Sequence, residues 1–422
     1  MDNTTPTDQA ASGGPDIGDV QRRLMVDALA LGGGLSSDAE AALRAVPRHA
    51  FAPGASLEAV YHLLDPVVVK RNRYGSVVSS MPAMQTHAAM LDQAAVKDGM
   101  AVWEVGSGGC NAALIRELAG ADGRVVTSDI DCEITERAAR LLSDTGYHDV
   151  RVVCADAADP LPGNEGLFDR IIVTAAAWDL PTTWSTHLAE GGRLVVPLTM
   201  RGLTRSVAFD LVDDHLESVS MQPCRLEPMR GAAAHQPELL LLHNTVCLWF
   251  DDGLPAAPEL TDSVVESERT EVWTGVPAEW RDPADTLPLY LASVLDGFCR
   301  LELTEEHDLA TIAPALPSDV TAVTGAGSLA YLTTRSAPGL LGAEFGVHAV
   351  GPERQILAET VAGHVRDWHR RQRGGPGPHI RVYPAGTPDE QLPADGRVID
   401  KIHCRIVLTW PTKTATSSMP EW

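Results

Sequence analysis

Gly106, Gly108 and Gly109 stand between a β-prone run and an apolar helical one in AVWEVGSGGCNAALIREL (101–118). Glycines at such a junction let the backbone turn tightly and approach a ligand with no Cβ in the way. The next stretch, GRVVTSDID (123–131), carries Asp129, 23 positions after Gly106. An acid there is placed to accept from ribose hydroxyls, with Asp131 as its competitor. Glu104 precedes the loop, where a carboxylate either orders the loop or meets a cationic amino-acid tail. Asp156 follows the run RVVCA, where a side chain meets the exocyclic amine of adenine or caps a turn. Ala155 and Ala157 beside it leave room for a flat base. These residue types describe a nucleoside-cofactor site. Position 111 is Asn where a dinucleotide fingerprint has Gly or Ala. The site therefore points to S-adenosyl-L-methionine rather than a nicotinamide.

The spacing of apolar residues predicts the elements that hold these groups. Strand-like runs at 101–105, 124–129, 150–154, 169–175 and 192–198 alternate with helical runs at 111–120, 132–144 and 181–189. That rhythm predicts a doubly wound, mostly parallel α/β sheet with helices on both faces. SVAFDLV (206–212) and HLESVSM (215–221), joined by Asp213-Asp214, predict an antiparallel hairpin at its end. Residues 19–46 read as two helices separated by GGGLSSDAE (32–40), with Ser37 or Asp38 as N-cap. Residues 65–91 read as a short strand, a loop, a Ser-Ser-Met-Pro turn and a helix. Residues 1–18 are polar and read as a disordered tail. The domain expected over 19–222 is followed by a separate C-terminal α+β domain over 223–422. It offers strand-like runs at 239–250 and 322–334, helices at 286–297 and 353–372, and two late strands before ten frayed residues.

The formal net charge of −24 makes nucleic acid and anionic membrane poor partners. No apolar run reaches the ~20 residues of a membrane span, and no secretory signal pattern opens the chain. The seven cysteines are odd in number, scattered and free of CxxC pairs. They read as reduced thiols of a cytoplasmic protein. No metal-ligand spacing is found; His403-Cys404 reads as part of a structural strand. Arg201 and Arg205 read as solvated, His235 as structural, and Trp178 as pocket wall or core.

PRHAFAP (47–53), Ser80-Met81-Pro82, VWEVGSGGCNAA, FDRIIVTAAA and GGRLVVP occur in this order. Over about residues 20–222 the chain resembles the protein-L-isoaspartate O-methyltransferase family. The resemblance implies a Rossmann-like methyltransferase sheet and S-adenosyl-L-methionine as cofactor. It implies a peptide or protein substrate carrying aspartyl or isoaspartyl residues. Ser80, with Ser79 as its substitute, is then the catalytic hydroxyl. Glu104, Gly106, Ser107, Gly108, Asn111, Asp129, Ile130, Asp156, Ala157 and Thr174 are the implied cofactor set. Two departures stand out. The glycine loop is one residue shorter than the family's usual Gly-x-Gly-x-Gly, with Cys110 near the usual Tyr. The chain also continues some 200 residues further. Both features, with RGLTRSVAF (201–209) and PMRGAAAH (228–235), resemble a branch linked to ribosomally made peptides of lanthipeptide and graspetide type.

The chemistry suits these residues. A carboxylate, with a pKa near ~4, is anionic at neutral pH and needs no general base. What methyl transfer needs is carboxylate, methyl and sulfur held in line in a water-poor site. A neutral serine hydroxyl orients the carboxylate without quenching it. The expected function is O-methylation of an aspartate-type carboxylate in a cyclised peptide, the ester collapsing to succinimide or isoaspartate. The alternative is repair of isoaspartyl residues in proteins. A non-catalytic cofactor-binding module and a NAD-type oxidoreductase rank below both.

Overall fold

The computed structural model describes residues 16–33, 35–163, 165–254, 260–278, 286–307, 312–336 and 342–411. The tail expected over 1–18 and the last ten residues fall largely or wholly outside these. The chain forms two compact units, Met1–Thr174 and Ala175–Trp422.

The first unit opens with helices α1 (Ile17–Leu31), α2 (Ser37–Ala45) and α3 (Leu57–Val60). The cap of α2 is Ser36, whose side chain accepts from Ala39 N, and not Ser37 or Asp38 as expected. A hairpin follows, β1 (Val67–Arg71) and β2 (Val77–Met81), then α4 (Met84–Ala94). The parallel sheet consists of β3 (Ala101–Val105), β4 (Arg124–Asp129), β5 (Arg151–Cys154) and β6 (Phe168–Val173). Its order is β6-β3-β4-β5, with α5 (Cys110–Ala119) after β3 and α6 (Cys132–Asp144) after β4. Val102, Trp103, Val125, Val126, Ile171 and Ile172 are buried along the strands. Such continuous apolar runs suit strands covered on both faces.

One expectation fails here. Cys132 and Cys154 form a disulfide, with Cα atoms 5.2 Å apart. Their sequence separation of 22 hides their adjacency. Parallel register sets Asp129 beside Cys154, and Cys132 begins the helix just after Asp129. Cys110, Cys224, Cys247, Cys299 and Cys404 are free thiols. Closing a loop of this length stabilises by about 3 kcal/mol in the chain-entropy account. The double variant Cys132→Ser, Cys154→Ser is expected to lose that much in denaturant unfolding against the oxidised protein. Against the reduced protein it should lose nothing.

The second unit contains α7 (Thr182–His187) and long antiparallel strands β7 (Leu188–Met200), β8 (Leu203–Val212) and β9 (His215–Pro223). Asp213, at φ +53°, turns the β8–β9 hairpin. A seven-stranded antiparallel sheet follows, in the order β10-β11-β13-β14-β15-β16-β12. Its strands are β10 (Glu238–Leu242), β11 (Val246–Phe250), β12 (Thr270–Ala278), β13 (Phe298–Leu303), β14 (Val320–Gly325), β15 (Ser328–Ser336) and β16 (Ala343–Val350). Helix α8 (Thr286–Val294) precedes β13. Helix α9 (Arg354–Arg371) packs on β12, β15 and β16 through Ala358, Val361, Ala362, Val365 and Trp368, a helical stripe. No helix among the described residues is long and apolar enough to cross a membrane.

The last strands, β17 (His379–Pro384), β18 (Arg397–Asp400) and β19 (Cys404–Thr409), do not join that sheet. β17 pairs with β9, setting Arg381 beside Glu217. The boundary expected at 222/223 therefore falls inside the second unit, between strands and their distant partners. Arg201 and Arg205 are buried, not solvated. Arg201 donates to the carbonyls of Ala292, Leu295 and Asp296, closing the C-terminal end of α8.

Candidate active site

β3 and β4 end side by side at the glycine loop, where Gly106 N donates to Ser128 O at 2.7 Å. Gly106 has φ +99°, and a Cβ there would overlap Thr174 Oγ1. The Thr174 hydroxyl lies 3.0 Å from the carbonyls of both Val105 and Gly106, so it shapes the loop. Gly109, at φ +82°, caps α5, and a Cβ on it would press on Phe51 at 3.1 Å. Gly108 is the open position: the nearest atom to a Cβ there is Met81 Cγ, 3.8 Å away. The loop thus lies beside the end of β2.

Asp129 accepts from Ser107 N at 3.1 Å and from Asp131 N at 2.9 Å, tying the loop to the tip of β4. Asp131 is committed elsewhere. It caps α6 through Glu133 N and holds Lys70 Nζ at 2.7 Å. Ile130 between the two acids is 39% exposed, an apolar side chain suited to the face of a base. Asp156 makes a turn: its Oδ1 accepts from Ala158 N at 3.0 Å and its carbonyl from Asp159 N. Ala157 next to it is buried.

Glu104 is fully buried and accepts from Thr127 Oγ1 at 2.5 Å. Burial lifts its carboxyl to about 7, against the pull of Thr127 and Asn111, and the charge of Asp129 adds to the rise. Glu104 Oε1, Ser107 Oγ and Asn111 Oδ1 are buried with no hydrogen-bond partner among the described residues. A polar ligand that reaches these atoms removes the cost of leaving them unpaired. A cation beside Glu104 favours its charged form. S-adenosyl-L-methionine, with its ammonium and sulfonium charges, fits this donor and acceptor set. Without ligand, Glu104 binds its proton more tightly folded than unfolded. Stability therefore falls as pH rises from about 4.5 to about 7 and levels off above. Cofactor affinity is expected to rise through the same window, with proton release below pH ~7 measurable by calorimetry in two buffers.

Ser79 and Ser80 lie on strand β2, half-buried, rather than in the expected turn. Ser80 does not cap α4, whose N-cap is Ala83. Neighbouring strand residues point to opposite faces, so only one of the two serines can face a given substrate. Two residues that sequence reasoning passed over hold this strand. Arg48 is buried and donates to Val60 O at 2.8 Å and to Pro82 O at 2.7 Å, which fixes the Ser-Met-Pro stretch. Its neighbour His87 is pushed down to about 3 by burial and by Arg48, so it stays neutral. Lys70 on β1, register partner of Ser79, reaches Asp131 and Glu133 and ties the hairpin to the start of α6. Arg48 sits in the PRHAFAP motif, a signal that could have found it. Nothing in the sequence marks Lys70.

A glycine loop at the end of a parallel strand, an acid at the tip of the next and a buried carboxylate with one unpaired oxygen define a class. It is the S-adenosyl-L-methionine-dependent methyltransferase on a doubly wound sheet. The model of the family described as protein-L-isoaspartate(D-aspartate) O-methyltransferase matches residues 21–229. The chain is 34% identical over 221 residues to protein-L-isoaspartate O-methyltransferase of Hyperthermus butylicus, covering 50% of this chain and 88% of that one. It is 32% identical over 224 residues to protein-L-isoaspartate O-methyltransferase 1 of Archaeoglobus fulgidus, covering 52% and 97%. A solved structure titled protein-L-isoaspartate O-methyltransferase aligns over 85% of this chain and 96% of its own, with TM-score 0.49 and 18% identity. The chain belongs to the protein-L-isoaspartate(D-aspartate) O-methyltransferase family. It is an S-adenosyl-L-methionine-dependent carboxyl O-methyltransferase.

Proposed function

We propose that the enzyme methylates the free carboxylate of an isoaspartyl residue in a polypeptide. The observation that carries this reading is the β2 strand, held by Arg48 and Lys70 with Met81 against the glycine loop. The names of the relatives support isoaspartate over ordinary aspartate as the methylated form. Bound cofactor supplies a methyl group on a sulfonium sulfur. Glu104 and Asn111 hold its amino-acid end, Asp129 its ribose, and Ile130 and Ala157 the base. Ser80 donates one hydrogen bond to the substrate carboxylate and orients it, and Ser79 is its substitute. No residue removes a proton, because the nucleophile is already anionic. The cytoplasm, where the methyl donor is made, is the proposed location.

A second reading is methylation of an ordinary aspartate in a constrained, ribosomally made peptide, with closure to a succinimide. One observation favours it: the seven-stranded sheet lies beyond the family match at residue 229, and we propose peptide recognition for residues 223–422. The two readings part on one comparison. Isoaspartyl and aspartyl versions of one peptide, linear and cyclised, are offered with cofactor and followed by mass. Methylation of the isoaspartyl forms with the higher kcat/KM supports the first reading. A methyl ester on the cyclised aspartyl form alone, followed by loss of methanol, replaces it with the second.

A further inference from the structure

The second unit contains a cavity of about 290 Å3 built from Trp178, Pro228, Met229, His235, Trp249 and Arg300, among others. Its walls are mostly apolar, yet it holds buried polar atoms without hydrogen-bond partners: Trp178 Nε1, His235 Nε2, Arg300 Nε and Asp251 Oδ2. These groups are held in place. His235 stacks on Trp178 with ring centroids 4.0 Å apart, and Lys401 Nζ sits 3.9 Å from the Trp178 ring centre. Trp249 Nε1 donates to Glu302 Oε2 at 3.1 Å. Arg300 Nη1 donates to Gly202 O at 2.9 Å.

Sheet register extends the apolar surface outward. Trp249 pairs with Leu239 on one side and Arg300 on the other, so the three share a face. Leu239 and Leu241 on that face are 43% and 44% exposed. The opposite face, with Leu242, Leu248 and Leu301, forms the buried core. The charges select the ligand. Arg300 is paired with Asp319, and Lys401 with Asp251 and Asp252. Among the described residues that line the cavity, Asp251 and Asp319 outnumber the one arginine, Arg300, which disfavours a phosphate. An apolar wall with two unpaired donors, Trp178 Nε1 and Arg300 Nε, matches an apolar side chain and the peptide carbonyl beside it.

We propose that this cavity binds an apolar side chain of the substrate polypeptide, at a point other than the methylated residue. It rests on the polypeptide substrate proposed above. None of its residues belongs to the glycine loop or β2, and Trp249 and Arg300 lie outside the family match. The cavity sets which polypeptides are taken, while the cofactor site sets the chemistry.

The test uses the full chain and fluorescein-labelled isoaspartyl peptides of glycine and serine, with one phenylalanine moved along the series. Fluorescence polarisation gives Kd without turnover, and methylation is followed in parallel. One register of phenylalanine is expected to bind roughly tenfold tighter than the phenylalanine-free peptide. Trp249→Ser, and Ala233→Phe, which fills the cavity from its wall, should each abolish that gain. Both should leave cofactor Kd and methylation of the phenylalanine-free peptide unchanged, which also shows that they fold. Equal binding across the series, or variants that keep the gain, overturns the proposal. Cavity-dependent binding with no peptide methylated leaves the cavity standing and sinks the isoaspartyl reading instead.

Discussion

Gly106→Ala is expected to remove methyl transfer and most cofactor binding. The residue sits at φ +99°, outside the conformations that a Cβ tolerates well. Holding alanine there costs about 1–3 kcal/mol. The new methyl would also overlap Thr174 Oγ1, the hydroxyl directed at the carbonyls of Val105 and Gly106. Either the loop or Thr174 must move, and Ser107 N, bonded to Asp129, moves with the loop. Melting should fall by roughly 5 °C, and cofactor affinity by at least about tenfold. Gly108→Ala is the control. Its Cβ meets only Met81 Cγ at 3.8 Å, an ordinary contact. Its melting temperature should stay near that of the parent, and only ligand binding should suffer. Equal melting losses in the two variants would contradict this account of the loop.

Ser80→Ala is expected to leave cofactor Kd unchanged and to lower kcat by about 10²-fold, the scale set by losing one well-aimed donor. The loss is one of orientation, since the substrate carboxylate is charged with or without the serine. Ser79→Ala should do less, because adjacent strand residues face opposite ways. A full loss in Ser79→Ala with an active Ser80→Ala would transfer the role to Ser79.

The parallel core was legible because β3, β4 and β6 are short apolar runs set between periodic helices. The glycine loop was legible because few residue types permit that turn. Four features were not. The serines were read as a turn, since strand pairing with β1 is not visible in the run SSMP. The Cys132–Cys154 pair depends on parallel register, which brings together residues far apart in sequence. β17 joins β9 across more than 150 residues, and no local pattern encodes such pairing. Arg201 looked like a surface charge, yet it caps α8 from 91 residues away. In the cofactor set, the Thr174 hydroxyl lies against the loop carbonyls, and Asp156 makes the turn that the sequence offers beside an adenine contact. Glu104 was read as ordering the loop or meeting a cationic tail. Its burial and orphaned Oε1 favour the tail.

The most direct measurement follows the methyl group. The full chain is incubated with methyl-labelled S-adenosyl-L-methionine and an isoaspartyl peptide, and the peptide is recovered and treated with mild base. The account predicts one labelled methyl per peptide, released by base as methanol, and absent with Gly106→Ala. A base-stable methyl, or none on any isoaspartyl peptide while the cofactor is bound, would contradict it.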